Sequence, residues 1–370
     1  SVVSAPSHII LVQKSILERP SHVQKELSLF TEVEYVEPNQ IITLRKTPND
    51  PELSELWGLV NTGKSGTKGM DIGAEAAWDI STGDKKVVVA VIDTGVDYTQ
   101  PDLADNMWIN SAELNGQPGV DDDNNGFIDD VYGWDFGNMD NDPLDDHGHG
   151  THCSGTIGAK GNDGFGLVGV SWDVSIMALK FLTRSGSGTL AGAVAAIDYA
   201  TQMGADIMSN SWGAYSTSKA LEEAVQRADD AGILFVAAAG NESRNGDLQP
   251  LYPAGYREPN VISVAASNSS GGLAYFSNYG EQSVHLAAPG VDILSVTPKG
   301  YESWSGTSMA TPHVAGVAAL LFAHNSALTH LEVKDRILNA VRPLPALKGK
   351  TITGGMLNAH FALKNQKYQP

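Results

Sequence analysis

The chain has 370 residues, enough for one large domain or for a large domain with a small unit beside it. Its 43 acidic and 24 basic residues give a net charge of −19, which disfavours nucleic acid and anionic membranes as partners and suits cation binding. The single cysteine, Cys153, excludes an intrachain disulfide, and no apolar run reaches the roughly 18 residues of a membrane span.

The first 47 residues differ in pattern from the rest and predict a small α+β segment. Residues 8–12 and 33–44 have strand-like patterns, and residues 21–30 could form an amphipathic helix. The proline-rich stretch 47–51 is then predicted to be a linker. We therefore divide the chain into an N-terminal segment, 1–47, and a main domain, 48–370. Because no leader-like segment opens the sequence, we expect that a signal peptide was removed or that the sequence was trimmed.

From about residue 85 the pattern predicts an α/β domain, with a doubly wound, mainly parallel sheet flanked by helices. Apolar runs typical of strands buried on both faces occur at residues 87–92, 175–182, 207–211, 233–238 and 261–266. Helical stretches lie between them at residues 192–203 and 218–231. Chemistry in such sheets gathers beyond the carboxyl ends of the strands, where Asp93, Ser211 and Asn241 fall.

Two of the candidate residues carry charge or can acquire it. A carboxylate at the end of a buried strand, as at Asp93, is costly without a partner, although an Asx turn with Gly95 would also explain it. His149 lies among glycines that allow close backbone approach, which suits a general base. Its neighbours His147 and His152 leave a transition-metal site as an alternative.

Ser308 precedes a long apolar stretch that predicts a buried helix, with Pro312 expected in the first turn. A hydroxyl at this place is either an ordinary helix cap or a nucleophile beside N–H groups that stabilise an oxyanion. The residues of the stretch alone leave both interpretations open.

Three motifs, Asp93-Thr94-Gly95, His149-Gly150-Thr151-His152 and Gly306-Thr307-Ser308, together resemble those of the subtilisin-like serine proteases (subtilases, peptidase family S8), where Asp, His and Ser follow in this order. Cys153 after the second motif is similar to the proteinase K branch of that family. The resemblance implies that Ser308 is the nucleophile, His149 the general base and then acid, and Asp93 the residue that orients the imidazole. It also implies that the Asn241 amide donates to the oxyanion.

The resemblance further implies a cleft in which a peptide adds as a strand between two edges. A pocket with small, uncharged walls would receive the side chain of the residue before the cleaved bond (P1), so we expect a roomy pocket and broad specificity with an apolar P1 preference. Trp212 could instead be a core residue. The implied substrate-binding residues are Ser185, Gly186, Ser187, Ser211, Trp212, Gly213, Ala238, Ala239 and Gly240.

The acidic stretch 121–130 resembles the start of an EF-hand loop but lacks its closing glutamate, so it predicts a calcium loop, with a solvated acidic turn as the alternative. Its expected ligands are Asp121, Asp123, Asn125, the carbonyl of Phe127 and one of Asp129 or Asp130. The family resemblance implies a second structural Ca²⁺. Its ligands would be Asp102, Asn162 and Asp163, with carbonyls near Lys160, Phe165 and Leu167.

Residues 33–39 resemble the last strand of a subtilase propeptide, which implies that the N-terminal segment is an intramolecular inhibitor or chaperone, in a zymogen or as a retained extension. We therefore expect a secreted, monomeric, calcium-stabilised serine endopeptidase that acts on proteins and peptides. One alternative is a catalytically silent subtilase fold whose cleft holds a partner. The other is a metal-dependent hydrolase built on His147, His149 and His152. Cys153 is predicted to be a buried apolar residue, with a reactive thiol as the alternative.

Overall fold

The computed structural model describes residues 2–4, 9–12, 20–37 and 46–369. The chain divides into two compact units, Ser1–Arg45 and Lys46–Pro370. In the first unit, strands β1 (Val2–Ser4) and β2 (Ile9–Ile10) pair in antiparallel fashion, and helix α1 spans Pro20–Leu27.

One expectation for the first unit is wrong. Residues 33–37 form no strand, and the remainder of the stretch expected to be a strand, 38–44, lies outside the described residues. Tyr35 is 64% exposed, and none of the described strands pairs with this stretch. An apolar alternation becomes a stable strand only where neighbouring strands or a packing face complete it.

The second unit is built around a large sheet. Its strands, in chain order, are β3 (Gly83–Asp93), β4 (Gly133–Asp135), β5 (Asp173–Lys180), β6 (Ile207–Asn210), β7 (Leu234–Ala238), β8 (Val261–Ser267), β9 (Leu286–Pro289), β12 (Arg342–Pro343) and β13 (Gly355–Met356). The nine strands lie in the order β12-β13-β9-β8-β7-β6-β3-β5-β4, and all pairs are parallel except β12 with β13. A separate antiparallel hairpin consists of β10 (Ile293–Thr297) and β11 (Gly300–Trp304).

Helices cover both faces of this sheet, as expected for a doubly wound α/β fold. They are α2 (Ala74–Trp78), α3 (Pro101–Ala104), α4 (Ser111–Leu114), α5 (His149–Gly158), α6 (Leu190–Gln202), α7 (Lys219–Asp230), α8 (Thr307–His324), α9 (His330–Asn339) and α10 (Ala359–Leu363). Helix α8 packs across β3 and β6 to β9, while α6 and α7 pack together on the opposite face. None of the helices in the described part of the chain is both long and apolar enough to cross a membrane.

The carboxyl ends of the central strands bring the polar candidates to one edge of the sheet. Strand β3 ends at Asp93, and its neighbours β5 and β6 end at Lys180 and Asn210. The next strand, β7, ends at Ala238. Because these strands are parallel, the segments that follow them open on the same side, which is where a doubly wound sheet places its site.

Helix α8 corrects the expectation for Pro312, which is the sixth residue of the helix and not in its first turn. A proline there cannot donate the usual hydrogen bond to the carbonyl four residues earlier, which belongs to Ser308. The Ser308 carbonyl oxygen instead accepts from the Ser211 hydroxyl (3.0 Å) and the Cys153 thiol (3.4 Å). Proline thus frees a backbone acceptor that side chains from two other segments satisfy.

Candidate active site

The centre of the site is the contact between Asp93, at the end of β3, and His149, at the start of α5. The Nδ1 atom of His149 lies 2.7 Å from Oδ1 of Asp93, which also accepts from the Thr94 N–H. Asp93 is fully buried. Burial by itself would lower the pKa of the His149 imidazole, but the charge and hydrogen bond of Asp93 outweigh it, and the charge of Asp145 adds to them, so this pKa is raised. The pair is therefore arranged to hold an imidazolium.

The buried carboxylate of Asp145 fixes the N-terminus of α5. It accepts hydrogen bonds from the N–H groups of His147, Gly148 and Thr151 and from the hydroxyls of Thr94 and Thr151. An acid that satisfies free N–H groups ahead of a helix is a known stabilising arrangement. Sequence reasoning assigned Asp145 no role, although an acid just ahead of a glycine-rich helix start is a recognisable signal.

Gly150, the second residue of α5 in the histidine motif, is a glycine for a steric reason. A Cβ atom at this position would overlap the carbonyl oxygen of Gly95 in the turn after β3. Only a residue without a side chain allows the helix to approach that turn closely enough for His149 to contact Asp93.

Lys180 links the surrounding segments through hydrogen bonds. Its ammonium group is buried at the end of β5 and donates to the carbonyls of Thr94 (2.7 Å) and Leu182 (2.9 Å) and to Asp146 (2.7 Å). All three donors of the group are thus satisfied, as burial of a charge requires. The residue holds the turn after β3 and the loop before α5 in one place.

The three histidines of this region do not converge on a common point. His152 is buried, its Nε2 lies near the carbonyls of Ile293 and Glu302, and its ring stacks on Trp304. Burial lowers the pKa of His152 to about 4, so its ring is neutral near pH 7 and joins α5 to the β10–β11 hairpin. His147 is exposed.

Cys153 is buried and connects the parts of the site. Its Sγ atom lies within 4.8 Å of the ligand atoms of Asp93 and His149 and contacts the Ser308 carbonyl oxygen. Burial raises the pKa of the thiol well above its ordinary value, which keeps it protonated. A protonated thiol is neither a strong nucleophile nor a metal ligand, so the geometry favours a packing role for Cys153.

Ser308 is the second residue of α8, beside the free N–H groups of the first turn. Its hydroxyl donates to the carbonyl oxygen of Ser211 (3.0 Å) in this structure and not to His149. Rotation about one side-chain bond redirects a serine hydroxyl, and hydrogen bonds of catalytic groups are often loose without substrate.

Asn241 lies just beyond the end of β7 and faces the start of α8. Its Oδ1 atom accepts from both the N–H (2.8 Å) and the hydroxyl (3.0 Å) of Thr307. Because Oδ1 is fixed in this way, the NH₂ group of the amide is turned to the other side, where it can donate. Thr307, which receives a hydrogen bond from the Gly240 N–H, thereby sets the orientation of the Asn241 amide.

The two segments expected to pair with a peptide follow β5 and β6, which flank β3. Ser185, Gly186 and Ser187 are exposed on a turn in which the Gly186 N–H donates to the Thr183 carbonyl. Ser211 is buried and donates to the Ser308 carbonyl. Trp212 is half-buried, and its ring packs edge-on against Phe181, so it contributes to packing as well.

The predicted pocket wall follows β7, next to the segment that follows β6. Ala238, Ala239 and Gly240 are buried, and the Ala239 carbonyl accepts from the Asn278 amide. Gly213, on the neighbouring segment, is exposed. The two segments follow adjacent parallel strands, β6 and β7, and therefore leave the same edge of the sheet side by side.

The acidic loop brings together a smaller set of carboxylates than expected. Asp121 and Asp123 lie near Glu113 of α4, with ligand oxygens within 4.8 Å of one another. Asp129 turns its carboxylate to the Gly119 N–H, and the buried Asp130 accepts from Asn110, Asn125 and Tyr199. The Asn125 Oδ1 accepts a hydrogen bond from the Phe127 N–H. Glu113 was missed because it precedes the acidic stretch.

A second acidic site involves a residue that sequence reasoning missed. Asp50 and Asp102 are buried, and in each the Oδ1 atom has no hydrogen-bond partner among the described residues. The other oxygen of Asp50 accepts from the Asn162 N–H (2.7 Å), which joins the two segments. Burial, with the nearby charges of Asp163 and Asp50, raises the pKa of Asp102 to about 6, although bonds from Tyr301 and Leu167 oppose it. Asp163 itself is exposed and accepts from the Phe165 N–H.

The Asp93 charge should control the titration of His149. In Asp93→Asn an amide of similar shape replaces the carboxylate, so burial acts with less opposition and the pKa of His149 should fall below its wild-type value. Titration of the His149 ring signals by NMR measures the change. Asp198→Asn, which breaks an exposed ion pair with Arg227, is the matched control and should leave that pKa unchanged. An equal pKa in Asp93→Asn and wild type would contradict the assignment.

Comparison with known proteins agrees with the motifs. A model of the subtilase family (peptidase S8) matches residues 84–361. The chain is 39% identical to the thermophilic serine proteinase of Bacillus sp. (strain AK1), over 82% of this chain and 66% of that protein. It is 38% identical to thermitase of Thermoactinomyces vulgaris, over 77% of this chain and 88% of thermitase.

More distant matches extend the likeness. Identity to subtilisin-like protease 1 of Plasmodium vivax is 36%, over 73% of this chain and 46% of that protein. A protease structure from Pseudoalteromonas arctica PAMC 21717 superposes with a TM-score of 0.70 at 29% identity, covering 86% of this chain and 99% of that one. The chain thus spans 66% of the Bacillus relative and 46% of the Plasmodium relative. The chain belongs to the subtilase family of serine endopeptidases.

Proposed function

We propose that this protein is a secreted, monomeric serine endopeptidase, stabilised by calcium, that hydrolyses peptide bonds in proteins with a Ser308–His149–Asp93 triad. The observation that carries the proposal is the 2.7 Å contact between the buried Asp93 carboxylate and His149. Cys153 lies beside both side chains and contacts the carbonyl oxygen of Ser308, a serine at a helix N-terminus. The proposed base and orienting acid are in contact, and the proposed nucleophile lies beside N–H groups that can stabilise negative charge, which supports this assignment.

In the proposed reaction, the Ser308 hydroxyl rotates away from the Ser211 carbonyl and attacks the carbonyl carbon of the substrate. His149 accepts the hydroxyl proton at Nε2 as the C–O bond forms, and Asp93 stabilises the resulting imidazolium. The imidazolium then gives this proton to the leaving amine as the C–N bond breaks. Water repeats the sequence on the acyl-enzyme, which releases the acid and restores the Ser308 hydroxyl.

Two donors would stabilise the tetrahedral oxyanion. One is the Ser308 N–H at the start of α8, and the other is the NH₂ group of Asn241, which Thr307 orients. Donors that are already aimed at the developing charge need no rearrangement during the reaction. The residues of the proposed pocket walls, Gly213, Ala238, Ala239 and Gly240, are uncharged, which supports an apolar P1 residue.

Hydrolysis of casein by wild type, Ser308→Ala and Asn241→Ala tests this function. We expect a phosphonyl fluoride to abolish wild-type activity with an adduct mass on Ser308, and Ser308→Ala to show neither adduct nor comparable activity. Asn241→Ala should lower kcat by about 10²–10³-fold, the cost of losing such a donor in subtilisin, with KM little changed.

The same experiment separates the alternatives. Activity lost only to a transition-metal chelator, with Ser308 unmodified, would support a metal-dependent hydrolase. A chain that remains inactive and unlabelled after removal of residues 1–47 would support a catalytically silent fold. Asp198→Asn serves as the control for a surface change and should match the wild type.

We propose calcium at two places. The site with Asp50 and Asp102 has the stronger structural support. Buried carboxylate oxygens without a partner, as in Asp50 and Asp102, are costly, and a hard cation with oxygen ligands would satisfy them. Asn162, Asp163 and nearby carbonyls would complete that set. At the acidic loop, the ligand oxygens of Asp121, Asp123 and Glu113 lie close together, which supports the other ion. In both places the ion would be structural and hold loops together.

Chelation should lower thermal stability by an amount that depends on Asp102. In a Ser308→Ala background, which prevents self-digestion, we expect EGTA to lower Tm, because an ion present at about 100 times its Kd contributes about 2.7 kcal/mol. The Asp102→Asn variant should show a smaller difference in Tm between calcium and EGTA. In EGTA its Tm should be no lower than that of its parent, because the substitution removes a buried carboxylate. Asp198→Asn should keep the full effect, and an unaltered calcium effect in Asp102→Asn would exclude it as a ligand.

We propose that the N-terminal segment, 1–47, is a propeptide, which is cleaved off as the enzyme matures. Residues 1–45 belong to a compact unit separate from the rest, which supports independent removal. A requirement for calcium would suit an enzyme that works outside the cell, where calcium is abundant.

Incubation with calcium followed by N-terminal sequencing tests removal. The wild type should acquire a new N-terminus near residue 47, while Ser308→Ala should keep Ser1, because cleavage depends on the nucleophile. A fully active chain that still begins at Ser1 would instead indicate a retained extension.

A further inference from the structure

The loop that carries Asn241, residues 239–244, is called here the oxyanion loop, and most of its side chains are exposed. Residues 241–244 all lie on the surface. The backbone takes a left-handed conformation at Gly240 (φ 107°) and again at Ser243 (φ 56°), where a serine adopts it only at a cost. With few buried side chains and an unfavourable backbone angle, the loop depends on hydrogen bonds from other segments to hold one conformation.

Asn278, a buried residue in the segment between β8 and β9, supplies three such bonds with its side chain. Its NH₂ group donates to the Ala239 carbonyl (2.8 Å). Its Oδ1 atom accepts from the N–H groups of Glu242 (3.1 Å) and Arg244 (2.8 Å). One side chain therefore bridges the two ends of the oxyanion loop, on either side of Asn241.

The backbone around Asn278 is fixed as well. The Asn278 N–H donates to the Gly240 carbonyl (2.8 Å), and a Cβ atom built on Gly240 would lie only 2.2 Å from Nδ2 of Asn278. The Ser277 hydroxyl accepts from the Ala266 N–H of β8 and donates to the Asn278 carbonyl, both at 2.9 Å. The amide of Asn278 is thus anchored to the sheet and fills the space that a side chain at Gly240 would need.

A carboxylate extends these contacts to Asn241 itself. Oε2 of Glu242 accepts from the Asn241 N–H (3.0 Å) and lies 3.1 Å from Nδ2 of Asn278, which donates to it. The side-chain oxygen of Asn241 is held separately, by Thr307 of α8. Asn241 is therefore fixed at two places, its backbone by the network of Asn278 and its amide by Thr307.

We infer that Asn278 is a positioning residue that acts through Asn241, because it holds the oxyanion loop where the Asn241 amide can donate to the tetrahedral oxyanion. The inference rests on the proposed peptidase function. Its bonds go to the loop, so its effect on the reaction is indirect. A donor must lie within about 2.7–3.1 Å of the developing charge, and a displacement of about 1 Å can lower a rate about 10²-fold.

A double-mutant cycle between Asn278 and Asn241 tests the inference, with succinyl-Ala-Ala-Pro-Phe p-nitroanilide as substrate. We expect Asn278→Ala to lower kcat about 10–100-fold with KM little changed, because the oxyanion forms only after the substrate is bound. In an Asn241→Ala background the same substitution should lower kcat by less than about threefold, since no donor is left to misplace. Losses of about tenfold or more in both backgrounds would overturn the inference.

Asn278→Asp is the second variant, because aspartate has the shape of asparagine and is the gentler change. It keeps an acceptor for the N–H groups of Glu242 and Arg244, but it cannot donate to the Ala239 carbonyl and places a second carboxylate beside Glu242. Its kcat should also fall, again only where Asn241 is present. A wild-type kcat in both Asn278→Ala and Asn278→Asp would contradict a positioning role.

Asn260→Ala is the matched control for a general loss of stability. Asn260 is as buried as Asn278 and its amide also donates to a backbone carbonyl, that of Ile233 (3.0 Å), but it lies at the amino end of β8, away from the site. We expect this variant to have a lower Tm and an unchanged kcat. An equal fall of kcat in Asn260→Ala and Asn278→Ala would assign the effect to destabilisation and overturn the inference.

Rates are expressed per Ser308 labelled to completion by a phosphonyl fluoride, so that misfolded protein does not enter the comparison. If Asn241→Ala loses activity and neither Asn278 variant does, only the inference about Asn278 fails. If wild-type protein freed of residues 1–47 neither reacts with the label nor cleaves the substrate, the proposed function fails.

Discussion

The hydrogen bond between Asp93 and His149 is the interaction on which the rest of the site depends, because it joins the end of the central strand to the start of a helix. A buried carboxylate is tolerable only with partners, and here the partners are an imidazole and a backbone N–H. Each neighbouring feature preserves that contact. Gly150 allows the approach, Asp145 fixes the helix terminus, and Lys180 anchors the strand end. The geometry of one hydrogen bond therefore depends on four segments of the chain.

Much of the fold and the centre of the site could be predicted from sequence. The buried strands appear as apolar runs, and β3 and β8 were placed to within a few residues because burial on both faces leaves a continuous signal. The positions of Asp93 and Asn241 followed from the rule that polar residues after parallel strands share one edge. Their partnership with Ser308 came from the motifs, since no spacing along the chain reveals that residues 56 apart, such as Asp93 and His149, are in contact.

What the sequence could not provide depends on contacts between distant segments. Asp50 lies in a stretch that composition marks as a linker, and only the fold places it near Asn162. Glu113 precedes the acidic stretch in the chain, and only the fold brings its carboxylate close to those of Asp121 and Asp123. Local patterns were also misleading where tertiary packing decides. Residues 33–37 have the alternation of a strand, but none of the described strands pairs with them, and Pro312 falls beyond the first turn because the helix begins at Thr307.

The carbonyl that Pro312 leaves free has a consequence for how activity emerges during folding. It is held by Cys153, 155 residues earlier, and by Ser211, 97 residues earlier, so the serine reaches its working position only when remote parts of the chain have already docked. A partly folded chain can contain the contact between the imidazole and its carboxylate, which are 56 residues apart, yet still lack a positioned nucleophile. Closing a longer loop costs more conformational entropy, so these two contacts are costlier to form than the one between Asp93 and His149. The nucleophile is therefore positioned only when segments from three distant parts of the chain have come together.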